Sequence, residues 1–460
     1  MLHFRAIHFA TQTTERGIML NKIAITEQPT LFDLTDYALS AKNTAIRSAR
    51  SGTFTDNMKL PVHRWYRYSA GFSAEWVEQL IREYSPASVL DPFAGSGTTL
   101  LAAEASGVMA YGYDSHPFVA RIAKAKTHWN QPDGKLLEAK KELLRVASQN
   151  MHPNMGVIPE LLTKCYTPEV LQELYALKDA YISCVEKFDT EISQLLWLAI
   201  TAVLRSCSFV GTAQWQYVLP NKRKSKSLNP FTAFDQKIAD MVADMLILRS
   251  TGCRSDSVVL LQDARTASPE VPLNSIDLVI TSPPYPNNYD YADATRLEMM
   301  FWGEIRGWCD LQESVRQFII RSCSQHTTAE KLNLETLLAD TSVDSIREEL
   351  SAVCNELAEV RKTKGGHKAY HTMIAAYFCD LSKVFQALRP VCKTGSTLCF
   401  VIGDSAPYGV YVPAEKWLGR LAIAAGFNSF TFEKLRDRNI KWKNRKHRVP
   451  LHEGRLWIKG

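Results

Sequence analysis

Two short segments of this chain carry residue types that could do chemistry. The first is DPFAGSG, Asp91 to Gly97, which ends one apolar run and opens a helical pattern. Gly95 and Gly97 allow the backbone to approach a ligand closely, with the free donors of a helix start beside them. Asp114 stands 17 residues after Gly97 at the tip of the next apolar run, where a carboxylate can take both hydroxyls of a ribose. The turn lacks the G-x-G-x-x-G spacing of a pyrophosphate site, and no Walker lysine follows it. The ligand read from it is a nucleoside without phosphates.

The second segment is TSPPY, Thr281 to Tyr285, directly after the apolar run IDLVI. Two prolines there stop a strand, stiffen the backbone and leave carbonyls without ladder partners. An amino group on a base is a poor nucleophile because its lone pair is delocalised into the ring. Two acceptors on its hydrogens, the Ser282 side chain and the Pro283 carbonyl, would localise that lone pair. Pro284 holds the turn, and Tyr285 would stack on a base flipped out of its helix. His63 and His116 are not read as bases, since an amine nucleophile of this kind loses its proton only after attack. No metal is called for in such a direct in-line transfer.

Elements that could position these loops are legible around them. SAEWVEQLIREY reads as a helix with Ser73 as N-cap, and ASVLD, a glycine turn, a helix stopping at Gly107 and Val108 to Tyr113 form a βαβ unit with a parallel sheet. Residues 124–254 read as helical throughout and interrupt the sheet. Strands return at SVVLL and IDLVI. A second polar, helical stretch covers 303–367, followed by a helix near Tyr370 to Leu388, the strand STLCFVIGD and the helix PAEKWLGRLAIAAG. SFTFEKL and GRLWIKG read as a last antiparallel pair joined by the Lys441 to Arg448 loop.

A net charge of +6 is too small to decide a partner, but its distribution is uneven. Lys222, Arg223, Lys224 and Lys226 form one cluster, Arg361, Lys362, Lys364 and Lys368 a second, and Lys441, Lys443, Arg445, Lys446 and Arg448 around Trp442 a third. Local clusters of this kind favour a polyanion. The longest apolar run, Leu195 to Leu204, is about half a membrane span, and no secretory signal is visible, so the reading is a cytoplasmic protein with no membrane partner. Ten cysteines show neither C-x-x-C pairs nor zinc spacing and read as reduced, buried thiols.

Taken together, DPFAGSGTT, Asp114 and SPPY resemble the amino-methylating DNA methyltransferases, which modify cytosine N4 or adenine N6. The resemblance covers roughly residues 60–125, 255–300 and 370–435. It implies an α/β fold, a Rossmann-like class I methyltransferase with a mixed seven-stranded sheet and helical insertions, S-adenosyl-L-methionine as cofactor and double-stranded DNA as substrate. A cognate restriction or defence-system protein is implied as a possible partner. Asp91, Pro92, Phe93, Gly95, Gly97, Thr98 and Asp114 would meet the cofactor. Asp263 in LLQDAR would meet its adenine amino group, and Phe72 and Ser73 in HRWYRYSAGFS would close over its methionine end. Ser282, Pro283, Pro284 and Tyr285 would form the catalytic tetrapeptide. Asp290 and Tyr291 match the segment that follows the tetrapeptide, and Asp404 the strand lining the target pocket.

In that family an acidic first tetrapeptide residue goes mostly with adenine and a serine mostly with cytosine, so Ser282 favours cytosine N4. Adenine N6 is the alternative; an RNA base-amine methyltransferase and an inactive DNA-binding subunit are more distant ones. The implied organisation is an N-terminal arm (1–55), a first methyltransferase part (56–125), a helical insertion and candidate DNA-recognition region (126–254), the catalytic continuation (255–302), a second insertion (303–368) and a C-terminal methyltransferase part (369–460). The first insertion lies between the second and third strands of the sheet, away from the family's usual place for base readout.

Overall fold

A computed structural model describes residues 54–150, 152–213, 216–252, 255–287, 289–329, 331–365, 368–438 and 449–460. The N-terminal arm up to residue 53 and the basic loop 441–448 lie outside these. Among the described residues there are nine strands: β1 (Ser88–Asp91), β2 (Met109–Asp114), β3 (Val210–Thr212), β4 (Val218–Arg223), β5 (Ser257–Leu261), β6 (Ile276–Thr281), β7 (Cys392–Gly403), β8 (Ser429–Arg438) and β9 (Leu451–Lys459). Seven of them form one sheet in the order β5-β2-β1-β6-β7-β9-β8. The run β5 to β7 is parallel, while β9 is antiparallel to both β7 and β8. This is the mixed seven-stranded Rossmann-like sheet that the resemblance implies.

Burial on both faces explains why the central strands are nearly continuous in apolar residues. Leu90, Val279, Leu398, Phe400 and Ile402 face a core shared with the helices Tyr370–Leu388 and Ala414–Ala424. Val89, Leu278, Ile280, Cys399 and Val401 alternate with them and pack on the helices Ala74–Tyr84 and Thr98–Ala105. The first of these helices begins where its cap residue stands, Ser73 Oγ accepting from the Trp76 amide at 3.3 Å.

A third core is built by the long insertion. Its helices Asp133–Gln149, Pro168–Cys184, Thr190–Cys207 and Pro230–Ser250 pack with Val62, Trp65 and Tyr66 and with residues 292–319. The expectation that 124–254 is helical throughout is corrected here: β3 and β4 pair as an antiparallel hairpin inside it. Val210–Thr212 is too short to show a strand period, and a hairpin is held by pairing that a local pattern does not reveal. No helix among the described residues is long and apolar enough to cross a membrane. Among the described cysteines Cys309 is exposed; the others are buried and none is in a disulfide.

Candidate active site

Because β1 and β6 are parallel neighbours, the turns DPFAGSG and TSPPY leave the same edge of the sheet. Strand order reverses there, β2 and β5 lying beyond β1 on one side and β7 beyond β6 on the other, which opens a crevice between the two turns. Asp91, the last residue of β1, links its walls. Its Oδ1 accepts from Thr281 Oγ1 at 2.6 Å and from the Phe93 amide at 3.0 Å, and its Oδ2 accepts from Thr99 Oγ1 at 2.7 Å. Thr99 also reaches the Ile280 carbonyl at 3.3 Å. Burial pushes the Asp91 carboxyl up to about 6, and the bonds from Thr281, Thr99 and Phe93 restrain that rise.

On the β1 side, Gly95 and Gly97 have φ of 53° and 86°, the left-handed conformation that lets the turn double back into the helix starting at Thr98. Pro92, Gly97 and Thr98 are buried, and Phe93 and Gly95 are half-buried. Asp114 closes the turn from the tip of β2: its Oδ2 accepts from the Gly95 amide at 2.9 Å and its Oδ1 from the His116 amide at 2.8 Å. Burial pushes this carboxyl up to about 7. A side chain at Gly95 would come within 3.1 Å of the Tyr68 ring, so Tyr68 lies directly over the turn.

Asp263, beyond β5, is held through both oxygens by the Arg265 guanidinium at 2.7 to 3.0 Å. Phe72 is buried edge-on against Trp76 at 5.7 Å, and its carbonyl accepts from Asn57 Nδ2 at 2.8 Å. Ser73 has its hydroxyl at the helix cap. The side chains of Phe72 and Ser73 are thus engaged within the protein, while the preceding Gly71 lies beside Thr98.

On the β6 side, Ser282 Oγ donates to the Val401 carbonyl of β7 at 3.2 Å. With its proton committed there, the oxygen keeps lone pairs for another donor. Pro283 is buried, Pro284 half-buried, and Tyr285 is packed beneath the Arg438 guanidinium, 5.3 Å from its ring centroid. Gly403 makes room for both: a side chain there would lie 2.5 Å from Arg438 Nη1 and 3.2 Å from Tyr285 Cε2. Arg438 Nη1 donates to the Asp404 carbonyl at 2.8 Å, and Asp404 itself is bound to the amide and ring of His452.

A family described as DNA methylase, of the N6/N4 amino-methylating kind, matches residues 37–125. A Type II methyltransferase of Nostoc sp., M.AvaI, is 27% identical over 410 residues, covering 82% of this chain and 81% of its own. The Geobacillus stearothermophilus Type II methyltransferase M.BsoBI is 24% identical over 430 residues, covering 84% and 82%. Over most of its length the chain is thus similar to these Type II methyltransferases, and its residues 37–125 match the amino-methylating DNA methylase family. A shorter match, 24% over 256 residues, is to the Kocuria varians Type II methyltransferase M.MvaI, and covers 51% of this chain and 55% of that one. No solved structure matches it.

In this chain the segment after the tetrapeptide is anchored from behind. Asp290 is buried and accepts from Arg316 at 2.7 and 3.1 Å, with His326 3.6 Å away. Burial raises its carboxyl, but the His326 and Arg316 contacts outweigh that and hold it at about 2. His116 is buried against Thr295 at 2.9 Å, and burial lowers its imidazole to about 3. His63 is lowered to about 3 by burial and by the neighbouring Lys126. Both are neutral at neutral pH.

Several residues at the site carry no signal that the motif reading used. Thr99 and Thr281 stand inside the quoted motifs, but only the fold brings them to Asp91. Tyr68 lies within HRWYRYSAGFS, where its ring was one aromatic among four. Arg438 reaches Tyr285 across 153 positions, a contact that no local pattern encodes.

Proposed function

We propose that this chain transfers the methyl group of S-adenosyl-L-methionine to the exocyclic amino group of a base flipped out of double-stranded DNA, with cytosine N4 as the acceptor. The observation that carries this reading is the Asp91 link, which ties the nucleoside-type turn and the tetrapeptide to one crevice at adjacent strand ends. The cradle fits a nucleoside. The turn is opened by left-handed glycines, and each Asp114 oxygen, bonded once to a backbone amide, keeps a lone pair that a ribose hydroxyl can use.

In this reading Pro92, Phe93, Gly95, Gly97 and Thr98 line the donor side, with the 71–73 segment running alongside. Asp263, each of whose oxygens accepts two bonds from Arg265, takes the adenine amino group by exchanging one of those bonds for it. When bound, the cofactor supplies a methyl group activated by its sulfonium. Ser282 Oγ and the Pro283 carbonyl accept from the two amino hydrogens, and Tyr285 stacks on the flipped base. Held by these acceptors, the nitrogen lone pair would be aimed at the methyl group that the bound cofactor would supply. The nitrogen proton then passes to water, so the neutral, buried His63 and His116 have no part in the transfer.

Both insertions, 126–254 and 303–368, flank this scaffold, and the first is the region assigned to DNA contact. The Type II relatives favour a restriction or defence-system nuclease as companion, with a cytoplasmic site of action. Mass spectrometry of nucleosides from a plasmid grown in a methylase-free host expressing this chain tests the reading. N4-methylcytosine is expected, N6-methyladenine would replace the choice of base, and neither would overturn the function. Ser282→Ala should keep cofactor binding in calorimetry and lose on the order of 100-fold in kcat; a fully active variant would remove Ser282 from its role.

A further inference from the structure

The β3–β4 hairpin interrupts the helical insertion and touches both walls of the crevice. At its tip Gln216 is buried with φ of 63°, a left-handed conformation that is costly for a residue with a side chain. Its amide group explains why that conformation persists. Gln216 Oε1 accepts from the Ser69 amide at 2.7 Å and the Ser69 hydroxyl at 2.9 Å, and its Nε2 donates to the Arg67 carbonyl at 2.6 Å. The hairpin is thereby fastened to the segment that carries Tyr68 and leads into Phe72 and Ser73.

The next residue reaches the opposite wall. Tyr217 Oη accepts from the Asp290 amide at 2.9 Å, and its ring lies 5.3 Å from that of Tyr289. Tyr289 in turn meets Tyr291 edge-on at 4.5 Å. Further along, Lys224 turns inward, its Nζ donating to the Arg205 carbonyl at 2.5 Å, and the Arg205 guanidinium pairs with the fully buried Glu298 in the helix after this loop. One short hairpin is therefore bonded to the cofactor-side segment and to the loop after TSPPY, and is linked through Arg205 to the helix that follows that loop.

The outer end of the same hairpin has the opposite character. Lys222, Arg223 and Lys226 are exposed, and none of the three makes an ion pair with a described residue. Arg223 is held in place by stacking over Phe209, its guanidinium carbon 5.0 Å from the ring centroid. Exposed cations without acidic partners, on an arm anchored at an active crevice, suit a ligand with regularly repeated negative charge. Phosphates of a nucleic-acid backbone supply that charge without regard to sequence.

We infer that the β3–β4 hairpin is the contact of this enzyme with duplex DNA phosphates, and that Gln216 and Tyr217 transmit that contact to the two loops flanking the crevice. This rests on the DNA methyltransferase reading and adds to it which element grips the duplex and how the grip reaches the target loop. Tyr217 is a positioning residue: through its bond with the Asp290 amide and its contact with Tyr289 it sets where the loop carrying Asp290 stands.

The test uses the full chain and a duplex fragment containing the methylation site mapped by sequencing. Three lost phosphate contacts should flatten the slope of log affinity against log salt by about 2.7 in a Lys222→Ala, Arg223→Ala, Lys226→Ala variant. Between roughly 50 and 200 mM salt the wild type should then lose about 40-fold more affinity than the variant does. Tyr217→Phe should leave the affinity for duplex and for cofactor within about twofold while kcat and the 2-aminopurine signal of base flipping fall about tenfold. A wild-type salt slope in the triple variant overturns the phosphate contact. Wild-type kcat in Tyr217→Phe overturns the coupling. A single-stranded RNA that binds more tightly than the duplex, with the same loss of slope, would give the hairpin a different partner. Absence of methyl transfer to DNA by the wild type counts against the function itself, and so is told apart from failure of the hairpin assignment.

Discussion

Replacing Thr281 by valine isolates the link on which the site geometry depends. Valine has nearly the shape of threonine, and position 281 is fully buried, so the core stays filled while the 2.6 Å bond from Thr281 Oγ1 to Asp91 Oδ1 is lost. A hydrogen bond to a charged group contributes about 1.5–3 kcal/mol. Asp91 Oδ1 would keep only the Phe93 amide, and its carboxyl, already pushed up to about 6, would rise further. With an unfolding entropy of about 2.1 cal/mol/K per residue, a loss of about 2 kcal/mol lowers Tm by only about 2–3 °C in a chain of this size. The effect on catalysis should be larger than that on stability. Thr281 immediately precedes Ser282, and a displacement of about 1 Å at a reacting group can cost about 100-fold. Scanning calorimetry and steady-state methylation of plasmid DNA should therefore show a small drop in Tm beside a fall in kcat of roughly 10- to 100-fold. A variant that loses the expected stability yet keeps wild-type kcat would refute the claim that Asp91 positions the tetrapeptide.

Two further outcomes follow from buried charge. The Asp114 carboxyl is pushed up to about 7, and it offers both oxygens as full acceptors to the two ribose hydroxyls when ionised, whereas protonation turns one of them into a donor. Cofactor affinity should therefore weaken as pH falls through about 7, approaching tenfold per unit below it. In calorimetry between about pH 5.5 and 8, Asp114→Asn should bind weakly with a flat profile; a pH-independent wild type would remove Asp114 from ribose binding. Arg316→Met leaves Asp290 buried without its cation, which should cost about 3–5 kcal/mol of stability in denaturant unfolding. A change below about 1 kcal/mol would mean that the pair contributes little beyond fixing the loop.

The strands β1, β2, β5, β6 and β7 and the glycine and proline turns at their ends were legible because each is announced locally, by an apolar run and by residues that force or permit a turn. The N-cap at Ser73 and the helix Tyr370–Leu388 were legible for the same reason. The hairpin of β3 and β4 was not. Its strands are short, its outer residues are polar, and the bonds that hold Gln216 and Tyr217 come from segments 147 and 73 positions away. Asp91 read as a cofactor contact from its motif, and the fold gives both of its oxygens to protein donors.

By itself, then, the chain of residues marked DPFAGSG as the candidate nucleoside turn and TSPPY as the candidate amine-polarising turn, since side-chain type and backbone freedom are properties of neighbours in sequence. Only the tertiary structure decided that these turns share one crevice, that Thr281 and Thr99 meet on Asp91, and that a basic hairpin spans both walls. Those facts depend on strand order and on cores packed from residues far apart, and no local pattern carries that information.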